Sequence, residues 1–158
     1  MTRVLALLLL LLAGCGASAQ TVCKITAGSF PFGTYDTLVA TPTTTLFNIL
    51  VRCDRNGGPG TVAVNLAVGP GSHGSTPDAR RMQHTTVPGN YLNYGLFTDG
   101  SYLTPVGTSP GANTLAQTLT IPNKSSATAT FTLYGRIPQA QNVRAGSYSD
   151  SVQVTVAP

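Results

Sequence analysis

Apolar and polar side chains alternate between residues 43 and 53. Phe47, Ile49, Val51 and Cys53 fall on one face, and Thr44, Asn48 and Arg52 on the other. A period of two marks a strand with one buried face. Gly57-Gly58-Pro59-Gly60 then reads as a turn. Val62, Val64, Leu66 and Val68 next alternate with Thr61, Ala63, Asn65 and Ala67. Residues 69–89 are polar and rich in Gly and Pro, and read as a long loop. Further strands are expected at 91–98 (Leu92, Tyr94 and Leu96 inward), weakly at 115–121, and at 128–134 (Ala129, Phe131 and Leu133 inward). Tyr148, Val152, Val154 and Val156 share one face of a last strand. No segment holds a 3.6-residue period over three turns. About six or seven short strands joined by Gly/Pro turns argue for an all-β sandwich. Such a count leaves an edge whose apolar face is uncovered and sticky unless something pairs with it.

The start of the chain departs from this pattern. Arg3 precedes an unbroken apolar run of nine residues, Val4 to Leu12, and small residues follow, ending Ala17-Ser18-Ala19. That is a secretory signal with an A-x-A cleavage site before Gln20. Nine apolar residues fall short of the about 20 that a membrane-spanning helix takes. The division expected is a signal peptide at 1–19 and a single domain at 20–158. Leu12-Ala13-Gly14-Cys15 also resembles a bacterial lipobox, in which the Cys becomes the acylated first residue. Cleavage after Ala19 is the preferred reading, and lipidation at Cys15 the alternative. The membrane enters only in the second case.

Export changes what the cysteines mean. Cys23 and Cys53 are the two thiols of the folded domain, and in an oxidising compartment they are expected to pair. Closing a loop of about 31 residues contributes roughly 3–4 kcal/mol in the chain-entropy treatment. No metal site is expected, since only His73 and His84 could join them, and both fall in the loop-like segment.

Charge and chemistry narrow the field further. Without Arg3 the chain carries eight basic and five acidic side chains, all five Asp. The basic residues are scattered apart from Arg52/Arg55 and Arg80-Arg81, whereas nucleic-acid binding calls for a dense basic face. No nucleic-acid partner is expected. With five Asp, two His and no Glu, paired acid/base groups are scarce. A Ser-His-Asp site using His73 or His84 would lack a G-x-S-x-G elbow, and no P-loop, dinucleotide or zinc signature appears. No enzyme activity, catalytic residue or cofactor is expected. Gly33 is read as a permissive backbone position and Asp36 as an Asx-type turn. Tyr94, Tyr134 and Tyr148 are read as core aromatics with hydroxyls anchored at the rim. Arg136 is expected to pair with Asp150 or cap carbonyls, and Arg80-Arg81 to form a solvated loop patch able to contact acidic surface polymers.

Several short motifs occur in a familiar order. Cys23, Phe32-Gly33-Thr34-Tyr35-Asp36 and Val51-Arg52-Cys53 are followed by Arg81-Met82 and Leu92-Asn93-Tyr94-Gly95-Leu96-Phe97-Thr98-Asp99. Leu133-Tyr134-Gly135-Arg136-Ile137 and Gly146-Ser147-Tyr148-Ser149-Asp150-Ser151-Val152 come last. Together they resemble the spore coat protein U domain family, which includes subunits of archaic (Csu-type) chaperone–usher pili. The resemblance implies an immunoglobulin-like, pilin-type sandwich that lacks its final strand and is completed by a donor strand. A periplasmic chaperone would fill the gap first. The N-terminal extension of another pilin subunit would replace it at an outer-membrane usher. By that analogy Val152, Val154 and Val156 border the acceptor groove on one side, and Val22 and Ile25 on the other.

The implied role is a secreted structural or tip-like pilus subunit in adhesion or biofilm formation, passing through the periplasm to the cell surface or fimbrium. The alternatives are a spore or cell-surface coat protein, or a lipid-anchored binding module outside a pilus, with the 69–89 loop or the 102–111 loop in contact with ligand. A strand donor needs roughly ten alternating residues before its first Cys. Cleavage after Ala19 leaves Gln20-Thr21-Val22, and cleavage before Cys15 leaves a small, polar segment. The subunit is therefore expected to accept a strand rather than give one.

Overall fold

The computed structural model describes residues 20–26, 28–108 and 113–157. The period-two segments all become strands, and every pairing between them is antiparallel. In chain order the strands are β1 (Gln20–Thr26), β2 (Thr43–Asn56), β3 (Gly60–Val68), β4 (Arg80–His84), β5 (Tyr91–Phe97), β6 (Leu115–Ile121), β7 (Ser126–Ile137), β8 (Tyr148–Ser149) and β9 (Val154–Ala157). They form a six-stranded sheet in the order β1-β2-β7-β5-β4-β8 and a three-stranded sheet in the order β6-β3-β9. The segment read as a signal peptide, with its expected cleavage site and Cys15, lies outside the described residues.

The two sheets share one core. β2 contributes Phe47, Ile49, Val51 and Cys53, β7 contributes Ala129, Phe131, Leu133 and Ile137, and β3 contributes Val64, Leu66 and Val68, all buried. Burying one such side chain stabilises the fold by roughly 1.5–3 kcal/mol. The expected disulfide is present: Cys23 and Cys53 face one another across the β1–β2 ladder, their Cα atoms 4.0 Å apart. Among the described residues it attaches an edge strand that pairs on one side alone.

Several expectations are corrected. The 69–89 segment is not one long loop, because β4 lies within it. Arg80 is not a solvated patch residue but 1 % exposed, and His84 is a strand residue 7 % exposed. The last strand is split: β8 pairs with β4 in the large sheet, and β9 pairs with β3 in the small one. Tyr134 and Arg136 project from the outer side of β7, opposite its buried residues. There the Arg136 guanidinium lies 5.7 Å from the Tyr102 ring centre, and the Tyr102 and Tyr134 rings are 6.4 Å apart. Asp150 is instead held by Tyr94 and Ser72.

Two local devices were anticipated correctly. Gly33 has φ +78°, a region that costs Gly nothing. Asp36 Oδ1 accepts the Leu38 amide at 2.9 Å, the Asx turn expected there.

Candidate functional site

The buried core is not covered evenly. After β1 the chain crosses the inner face of the large sheet as an extended segment, residues 28–36, outside any ladder. Aromatic rings hold it there. Phe30 and Phe32 pack on Phe47 with ring centres 4.9 and 5.4 Å apart, and Phe32 meets Tyr94 at 5.4 Å. Gly135 makes room for this stack, since a Cβ on it would stand 2.5 Å from Phe47 and 2.8 Å from Phe32.

Two clefts flank these rings. One, of about 710 Å³, lies between residues 30–37 and 143–148, with Met82, Leu92 and Ile137 also lining it. The other, of about 430 Å³, lies between residues 28–32 and 148–152, over Met82, Tyr94 and Leu96. They share Phe30, Phe32, Met82 and Tyr148 and so follow the same pair of walls. Farther along those walls stand β1 and β9, which come within 8 Å of each other. Among the described residues β1 pairs only with β2, and β9 only with β3. Each therefore offers one unpaired row of backbone N–H and C=O groups, the feature that makes a sheet edge a template for another strand.

The side chains along this line are apolar and half-buried. Cys23, Ile25, Phe30, Phe32, Tyr148, Val152, Val154 and Val156 all pack against the core without being enclosed by it. Of the groove residues expected from the sequence, the structure brings Ile25, Val152, Val154 and Val156 together on this face. Val22 does not belong with them. It sits three positions from Ile25, so alternation turns it to the opposite face, and it is 45 % exposed. Phe30, Phe32, Met82 and Tyr148 were not anticipated as groove residues. The Phe30-Pro31-Phe32 alternation was the available signal, masked by the proline within it and by Gly28 and Gly33 around it.

One wall is pinned firmly. Gly69 N–H donates to Gln153 O and Ser72 N–H to Ser151 O, both at 2.9 Å, extending the β3–β9 ladder. Asp150 adds two further bonds, accepting the Tyr94 hydroxyl at 2.8 Å and the Ser72 amide at 2.9 Å. Tyr148 O–H donates to Arg144 O at 2.7 Å. His84 accepts the Thr86 and Val87 amides on Nδ1, both at 3.2 Å, and its Nε2 lies 3.2 Å from Ala145 O. Its ring is thereby committed to the backbone.

Burial, with Asp150 next, pushes the Tyr94 hydroxyl far above the ordinary tyrosine value of 10.0. The unfolded chain ionises Tyr94 near pH 10, and the folded chain does not. This contribution to stability is therefore complete below pH 10 and is lost as pH rises beyond it. Tyr94→Phe is expected to flatten the alkaline limb of a stability-versus-pH curve above pH 10. An unchanged slope in urea titrations at pH 9 to 11 would show that Tyr94 does not carry it.

The fold has counterparts among known proteins. The fold is similar to a chain in the crystal structure of the CsuC–CsuE chaperone–tip adhesion subunit pre-assembly complex, from the archaic chaperone–usher Csu pili of Acinetobacter baumannii. Identity is 21 %, the TM-score is 0.52, and the match covers 87 % of this chain and 39 % of that one. A chaperone–tip adhesin complex of CFA/I fimbriae gives 11 % identity and a TM-score of 0.41, over 86 % and 42 % of the two chains. The chain thus spans about two-fifths of the length of the solved chains it matches. No curated protein matches it. A family model described as the Spore Coat Protein U domain matches residues 7–155, and the chain belongs to that family.

Proposed function

We propose that this protein is a strand-accepting structural subunit of a chaperone–usher pilus. The observation that carries the reading is the apolar groove between two segments near the chain's ends, with unpaired strand edges at β1 and β9. A strand laid there would hydrogen-bond along the free edges. Its alternate side chains would enter the spaces among Ile25, Phe30, Phe32, Val152, Val154 and Val156. Main-chain bonds give such an interaction its strength and the pockets its specificity. The family and the likeness to a chaperone–subunit complex support the same reading. A periplasmic chaperone is the first partner, and an outer-membrane usher and other pilins follow. The path runs through the periplasm to the fimbrium, with adhesion and biofilm formation as the outcome. The domain at 20–158, released by cleavage after Ala19, is the unit that assembles.

A synthetic peptide copying the alternating N-terminal extension of a neighbouring pilin tests this. At about 100 times its Kd it adds about 2.7 kcal/mol, a rise in Tm of roughly 5–10 °C for a domain of this size. Val154→Asp, which places a charge in the groove, should abolish the rise. No rise with the unmodified protein, across peptides from several neighbouring pilins, would overturn the reading.

A further inference from the structure

The charges of this domain are sorted by position. Lys24, Arg52, Arg55 and Lys124 gather with a single acid, Asp54, at the end where β1 begins and β2 finishes. The other four basic residues, Arg80, Arg81, Arg136 and Arg144, are matched in number by Asp36, Asp78, Asp99 and Asp150. The net excess of three positive charges over residues 20–158 therefore resides at one end. A cleft of about 490 Å³ opens there, lined among others by Arg52, Arg55 and Lys124.

Local arrangement keeps this end positive. Lys24 stands directly opposite Arg52 in the β1–β2 ladder, and like charges so placed cost stability. The one acid within reach, Asp54, pairs with Arg52 at 3.0 Å, and both side chains remain about half or more exposed, at 48 % and 62 %. Arg55 is occupied internally, donating to Gly58 O at 2.7 Å and Thr21 Oγ1 at 2.8 Å. Lys124 is exposed at a turn with φ +48°. Among the described residues Lys24 and Lys124 make no ion pair, and Arg52, though paired with Asp54, stays 62 % exposed.

We propose that this basic end docks on an anionic lipid surface. Three observations favour a surface over a single ligand. The charges are exposed and spread across two strands and a turn, rather than convergent on one point. No corresponding excess exists elsewhere on the domain. Gln20 lines the same cleft. Four residues lie between Cys15 and Gln20, so a Cys15 anchor would stand within about 17 Å of Gln20. A lipid at Cys15 and this face would therefore address the same bilayer, while the charge sorting holds without one.

Co-sedimentation with vesicles tests the proposal, using the protein secreted from its own leader, with its mature N-terminus established by mass. Vesicles containing phosphatidylglycerol should bind it, and pure phosphatidylcholine vesicles should bind it far more weakly. Binding should fall as salt rises from about 0.05 to about 0.5 M, because exposed charges are screened. The triple variant Lys24→Gln, Arg52→Gln, Lys124→Gln should lose affinity on the order of a hundredfold. Arg81→Gln and Arg144→Gln, at other faces, should not. Circular dichroism of the triple variant separates loss of binding from loss of fold. Equal binding to both vesicle types, an equal loss in Arg81→Gln, or competition by inorganic phosphate at matched phosphate concentration would each overturn the proposal.

Discussion

Arg80→Ala is expected to lose about 3–5 kcal/mol, the combined effect of several buried acceptors left unsatisfied, and to accumulate poorly as folded protein. The Arg80 side chain is among the largest fully enclosed in the domain. Nε donates to Gly69 O at 2.8 Å, Nη1 to Pro77 O at 2.7 Å, and Nη2 to Val68 O and Val106 O at 2.7 and 2.8 Å. One guanidinium thus satisfies four carbonyls where β3 ends and its loops begin. Removing it leaves a cavity together with unsatisfied acceptors, each costing about 1–3 kcal/mol if no water replaces the donor. Desolvation lowers the Arg80 pKa, yet arginine stays protonated. Arg80→Lys keeps the charge but not the planar fork, so it should recover only part of the loss. Urea unfolding of the two variants checks this. An Arg80→Ala protein within about 1 kcal/mol of the parent would show that the carbonyls find other donors.

Replacing Cys23 and Cys53 together by Ala is the second large effect, a loss of roughly 3–4 kcal/mol. β1 pairs along one side only, so the covalent link limits how far this edge can fray. Detachment of β1 would also remove a wall of the groove. The double variant should therefore lose peptide-induced thermal stabilisation along with its own stability, a coupling that reduction with a thiol should reproduce. If the variant melted where the parent does, the disulfide would have no such role.

The strands with apolar inward positions were plain in the sequence. β2, β3, β5 and β7 each alternate without interruption, and the structure places those residues in the core. β4 was hidden because its inward positions are Arg80, Met82 and His84. Backbone partners outside the strand make an arginine and a histidine acceptable there, and composition cannot reveal carbonyls contributed by Val68, Gly69 and Val106. The β8–β9 break was hidden for a related reason. Tyr148, Val152, Val154 and Val156 share a parity, but Asp150 shares it too and turns inward to Tyr94. Gln141 gives a further example: its side-chain amide bonds both the N–H and the C=O of Asn93, at 2.8 and 2.9 Å. It thereby replaces a strand partner beyond the last β5–β7 pair. In the groove, the valines were legible as an uncovered apolar face. The opposite wall was not, because rings rather than alternating strand residues build it.

The two walls differ in what it takes to move them. Residues 147–157 are tied by ladders to β4 and β3 and by Asp150 to Tyr94. Residues 28–36 lie in no ladder and are fastened by ring contacts, a 3.4 Å bond from Thr45 to Pro31 O and a 2.8 Å bond from the Gln141 amide to the Tyr35 hydroxyl. Sliding a ring over its neighbours is cheaper than breaking a row of backbone bonds. The slot therefore behaves as a jaw with one fixed and one sprung side. On the proposed reading, a bulkier donor strand would be taken up by yielding at Phe30 and Phe32, and its register would follow the backbone of the side that does not give.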